Sequence, residues 1–180
     1  LKTTTLESIV IGNDLTLQLK GELESDSFDA SGQSIDPGYA MIMAWWLTTP
    51  ITAAVNSITV DSTGDMPNQY GGTKSGGPKP YTLTAGEETI DLSSKNLGPA
   101  DVNFLAVWLQ RPEVIAAVVE VVLDGCPLTG ATNQYTMEYF GANIDSQMDV
   151  FSQNIDSQMD GFVALCAVLG KLERISLANC

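Results

Sequence analysis

Four aspartates near the C-terminal end are the residues best spaced to do chemistry. Asn143-Ile144-Asp145-Ser146-Gln147-Met148-Asp149 recurs unchanged as Asn154-Ile155-Asp156-Ser157-Gln158-Met159-Asp160, eleven residues later. Eleven residues make three turns of helix at about 3.67 residues per turn, so both copies land on one face. Asp145, Asp149, Asp156 and Asp160 then form a single carboxylate stripe. Like charges at i,i+4 repel on a helix, and no lysine or arginine lies between residues 112 and 170 to offset them. Such a stripe can take a divalent cation through its oxygens, calcium above all, dock a basic surface, or stay solvated.

Other chemistry is thin. Asp26, Asp29 and Asp36 around Gly32 resemble a calcium loop only loosely, because the acids miss the alternate spacing and no glutamate closes the loop. Gly71-Gly72-Thr73-Lys74-Ser75-Gly76 lacks the spacing of a phosphate-binding loop and follows no hydrophobic strand, so it reads as a flexible loop. There is no histidine, and hence no Ser-His or Cys-His pair. Glu87 and Glu88 are adjacent, which on a strand sends them to opposite faces. These absences point to a protein that is not an enzyme. Trp45, Trp46 and Trp108 could stack on sugars, but their apolar surroundings read as core.

The three cysteines, Cys126, Cys166 and Cys180, have no metal-ligand spacing. Within one continuous helix Cys166 and Cys180 would stand about 21 Å apart, so they pair only if the chain turns back. Cys126 or a neighbouring chain is the other available partner. Cys166, in Val-Ala-Leu-Cys-Ala-Val-Leu, reads as a buried free thiol.

The elements that must carry these residues fall into two parts. Residues 1–130 read as strands: Leu6–Ile11, the alternating Leu15–Leu23, the apolar run Tyr39–Thr49, Thr52–Val60, Tyr81–Thr84, Thr89–Leu92 and Val102–Gln110. Residues 112–124 read either way. Valine at five of the ten positions Val114–Leu123 favours strand, while Pro112 and Glu113 spell a helix start. About eight strands are the number of a jelly roll or a similar antiparallel sandwich. Asp61–Pro80, with its glycines and prolines, is a long surface loop.

Residues 131–180 change period from two to 3.6 and read as a long amphipathic helix. Its apolar seam is Ile144, Met148, Phe151, Ile155, Met159 and Phe162. Unbroken from 132 to 176, that helix would extend about 65 Å, far beyond a small sandwich, which points to association with copies of itself.

Composition agrees. Charged residues are only 17% of the chain, against about 25% in an ordinary soluble domain. Net charge is −14, which repels phosphate backbones and argues against nucleic acid as a partner. No apolar run is long enough to span a membrane. The start at Leu1 reads as processed, which favours export. The expectation is therefore an α+β chain, a β-sandwich followed by a helix, serving as a structural subunit of a virion or an extracellular appendage. The alternative is a secreted module binding carbohydrate or a calcium-dependent ligand through exposed aromatics such as Tyr39, Tyr70 and Tyr81.

Overall fold

The computed structural model of the chain describes residues 6–64, 78–126, 128 and 161–180. It is an α+β protein, with eight short strands in three small open sheets among the described residues. The antiparallel hairpin β1 (Ser8–Ile11) and β2 (Leu15–Gln18) comes first, as the alternation of Leu15 and Leu17 with polar residues implies. Next come β3 (Ser27–Asp29), helix α1 (Pro37–Trp46), a 3-10 turn (Pro50–Ala54), β4 (Ser57–Asp61) and β5 (Pro80–Thr84). The chain continues through β6 (Thr89–Asp91), α2 (Pro99–Leu109), α3 (Pro112–Ile115), β7 (Glu120–Val122) and β8 (Arg174–Ser176). Residues 161–169 are also helical.

The antiparallel sandwich is not what the described residues build. Two apolar runs expected as central strands, Tyr39–Thr49 and Val102–Gln110, are instead α1 and α2, packed on each other. A run apolar on every side cannot be assigned by periodicity, because a buried helix and a buried strand look alike. The decisive local signals are Pro37 and Pro99 at the first helical position, each with a nearby acid that accepts a backbone N–H at the helix start. Asp36 does so for α1, accepting from the Tyr39 N–H at 2.8 Å, and Asp101 for α2. Residues 112–124 hold both structures in succession: α3 first, then β7.

The order strand–helix–parallel strand occurs twice, and the two units superpose in sequence. β3 pairs parallel with β4, and β6 pairs parallel with β7. An offset of 62 residues takes Asp29 to Asp91, Ser31 to Ser93, Pro37 to Pro99, Trp46 to Trp108, Leu47 to Leu109 and Pro50 to Pro112. After one added residue the offset is 63, taking Val55 to Val118 and Asp61 to Asp124. Backbone details repeat with it. Asn56 and Ser57 donate to the Asp26 carbonyl, as Val119 and Glu120 donate to that of Glu88. Ala30 donates to Thr59 as Leu92 donates to Val122. Asp29 accepts from the Ser31 N–H and Asp91 from that of Ser93, each at 2.9 Å. Ser34 and Asn96 share a left-handed backbone, at φ 54° and 60°. Trp46 and Trp108 are both fully buried in a core that both units share. The chain thus carries a duplicated β-α-β unit.

The C-terminal stretch departs from the expected unbroken helix. The helix stops at 169, and residues 174–176 form β8, parallel to β7 in the second unit's sheet. Gly170 weakens helix continuation at that point. Of the seam, Phe162 is half-buried and packs on the chain's own core beside buried Leu165 and Val168. Ile144, Met148, Phe151, Ile155 and Met159 lie outside the described residues. Gly161 meets α2 closely: a Cβ there would stand 3.0 Å from both the Asn103 Cβ and the Pro99 carbonyl oxygen. Only glycine permits that approach without displacement.

Candidate functional site

The most elaborated polar group among the described residues is the carboxylate of Asp101, only 1% exposed. Its place follows from sequence: it is the third residue after Gly98, which precedes Pro99 at the start of α2. Oδ2 accepts from the Gly98 N–H at 2.8 Å, from the Thr63 N–H at 2.7 Å and from the Thr63 hydroxyl at 2.8 Å. Oδ1 accepts from the Tyr81 hydroxyl at 3.0 Å. Thr63 follows β4 and Tyr81 lies in β5, so one carboxylate ties the first unit to the first turn of the second unit's helix.

Electrostatics oppose each other here. Burial pushes the Asp101 carboxyl above its ordinary value, while the four donors pull it down. Burial, then the Asp101 charge and hydrogen bond, push the Tyr81 phenol well above its own. The gap beside them, bounded by Ile35, Met43 and Phe104, has no room for a water molecule. With four donors engaged and no space for a substrate, the cluster joins elements rather than reacting.

A second buried group also links the units. Arg111 sits before α3, with Nε donating to Glu113 at 2.7 Å and Nη2 to the carbonyls of Thr52 and Ala53 at 3.2 and 3.4 Å. Those carbonyls belong to the first unit's 3-10 turn, and the guanidinium lies 4.6 Å from the centre of the Trp108 ring. Arg111 Nη1 and Trp108 Nε1 are buried without a hydrogen-bond partner among the described residues.

The sequence-derived candidates fall out as follows. Asp145, Asp149, Asp156 and Asp160 lie outside the described residues, as do Tyr70 and Gly71–Gly76. Among the described residues no group of three acids or cysteines is placed to hold a metal. Asp29 and Asp36 instead close a turn and cap α1, and Asp26 accepts from the Asn56 amide at 3.2 Å. Tyr81 is buried, so it cannot present a ring to a sugar; Tyr39 is half-buried. Of the tryptophans only Trp45 is exposed, at 51%. Cys166 is exposed and Cys126 is the buried thiol, the reverse of the expectation for Cys166. Asp101 and Arg111 were not legible as junction residues, since nothing local distinguishes them from surface charges. No helix among the described residues is long and apolar enough to cross a membrane.

Comparison with protein-family models, with curated proteins and with solved structures finds no match to this chain.

Proposed function

We propose that the chain is a non-enzymatic assembly subunit of a virion or an extracellular surface appendage, and that it associates with copies of itself. The observation that carries this reading is a pair of half-exposed apolar side chains on α1 among the described residues. Met41 and Trp45 stand one helical turn apart and are 49% and 51% exposed. The duplication equates Met41 with Asn103 of α2. Asn103 lies close to Gly161, where an added Cβ would stand 3.0 Å from the Asn103 Cβ. Among the described residues, Met41 and Trp45 thus keep about half of their surface in water, Met41 beside the Asn103 amide that donates to its sulfur at 3.3 Å. Burying them in a neighbour recovers about 25 cal/mol per Å² of apolar surface. The seam read from the sequence, Ile144, Met148, Phe151, Ile155 and Met159, lies outside the described residues, and the low charge of the whole chain supports a largely covered exterior.

Light scattering tests this directly. The native mass is expected to be a multiple of 19.2 kDa, and the double variant Met41→Ser/Trp45→Ser is expected to fall towards that single-chain value. A wild-type protein that stays monomeric at high concentration refutes self-assembly. The half-exposed indole of Trp45 also favours the alternative, a secreted carbohydrate-binding module. A monomer whose tryptophan emission shifts with added oligosaccharide would decide for that reading.

A further inference from the structure

We propose that Cys126 and Cys180 are a disulfide pair, forming a covalent latch across the end of the second unit's sheet. The parallel pairing of β7 with β8 runs at a constant offset, Glu120 opposite Arg174 and Val122 opposite Ser176. It continues past both strands: Leu123 N–H donates to the Ser176 carbonyl at 2.9 Å, and Gly125 N–H to that of Ala178 at 2.8 Å. The Asp124 carboxylate reinforces it, accepting from the Ser176 hydroxyl and the Ala178 N–H, each at 2.7 Å. The next pair at the same offset is Cys126 and Cys180. Both segments turn just before these cysteines, at Gly125 (φ 70°) and Asn179 (φ 58°), and a disulfide accepts Cα separations of about 4.4–6.8 Å.

Hydrogen bonding brings the two cysteines onto one atom. The Leu123 carbonyl oxygen accepts from the Cys126 N–H at 3.3 Å and from the Cys180 thiol at 3.0 Å. The Cys180 sulfur is thus no farther from the Cys126 nitrogen than those two bonds laid end to end. Both cysteines are free thiols here, with Cys126 donating to the Leu92 carbonyl at 3.3 Å. Turning the Cys126 side chain about χ1 gives up that weak bond and aims its sulfur at Cys180. Cys166, exposed on the helical residues 161–169, has no such convergence.

The oxidant is a low-molecular-weight disulfide such as oxidised glutathione. The Cys180 thiolate attacks one of its sulfurs, breaking the S–S bond and releasing one thiolate. The Cys126 thiolate then attacks the Cys180 sulfur of the mixed disulfide, releasing the second. Two protein thiols and one small disulfide give one protein disulfide and two small thiols.

The test is equilibration of the folded, reduced chain with oxidised glutathione, alkylation, and peptide mapping. Trypsin must be followed by a glutamate-specific protease, because no lysine or arginine separates Cys126 from Cys166. The expected product is one intrachain bridge between Cys126 and Cys180 with Cys166 alkylated, and a melting temperature above that of the reduced chain. Cys166→Ser is expected to keep the bridge, and Cys180→Ser to lose it while still folding by circular dichroism. A bridge that includes Cys166, or three alkylated thiols in folded wild type, overturns the pairing.

Discussion

Replacing Asp101 with alanine is the sharpest perturbation of the junction between the two units. It removes the acceptor for four donors at once: Thr63 N–H, Thr63 hydroxyl, Gly98 N–H and Tyr81 hydroxyl. The hydroxyls can rotate to seek other acceptors, but the two backbone groups are fixed by β4 and α2. Two buried donors left unsatisfied, at about 1–3 kcal/mol each, put the loss at about 2–6 kcal/mol. Tyr81→Phe deletes a single donor to the carboxylate and is expected to cost about 1.5–3 kcal/mol. Native stabilities are about 5–15 kcal/mol, so Asp101→Ala takes a large share of the total. Urea unfolding reads both, as a fall in midpoint at unchanged slope, because the surface exposed on unfolding hardly changes. An Asp101→Ala variant less destabilised than Tyr81→Phe would refute the hub, since it would mean that water reaches the orphaned N–H groups.

Two further outcomes test the same architecture. Asp101 is held above its ordinary value, so its contribution to stability is fully present below 3.8 and falls as pH rises through the folded-state value. The stability of wild type minus Asp101→Asn should therefore decrease with rising pH across that window, and an increase would mean that the four hydrogen bonds outweigh burial. Asp29 and Asp91, held below 3.8, act in the opposite sense, losing their contribution as pH falls, and they cancel because both proteins carry them. Gly161→Ala places a methyl 3.0 Å from the Asn103 Cβ and the Pro99 carbonyl. It should cost about 1–3 kcal/mol by thermal unfolding, as overpacking does; a neutral change would show that residues 161–169 can slide along α2.

What was legible in the sequence was local and what was lost was long-range. The strands β1, β2, β5 and β6 follow from alternation and turn residues, and these hold, whereas the expected strand Thr52–Val60 is strand only from Ser57, its first part lying in the 3-10 turn Pro50–Ala54. The apolar runs behind Trp46 and Trp108 misled, because burial on all sides removes the polar face that reveals period. The capping residues were present in plain view, Asp36 before Pro37 and Asp101 after Pro99, and they outweigh composition at both sites. β8 was missed because a three-residue strand carries almost no pattern, and it exists only through its pairing with β7. Asp101 was unreadable for the same reason: its donors lie in β5, after β4 and at the N-cap of α2, and only folding gathers them.

The seven-residue repeat was conspicuous because its two copies are identical, whereas the two β-α-β units share mainly residues under structural constraint. The identities that persist are those that physics holds: prolines that open helices, aspartates that close turns by accepting an N–H, and tryptophans sealed in the core. Positions free of such constraint diverged, and they did so unequally. Where the first unit has Tyr39 the second has Asp101, the buried carboxylate that binds one unit to the other, and where the first has Thr49 the second has Arg111, which donates to the carbonyls of the first unit's turn. Met41 and Asn103, at equivalent positions, meet each other, the Asn103 amide donating to the Met41 sulfur at 3.3 Å. The shared residues thus build each unit, and differing ones such as Asp101 and Arg111 join the two units.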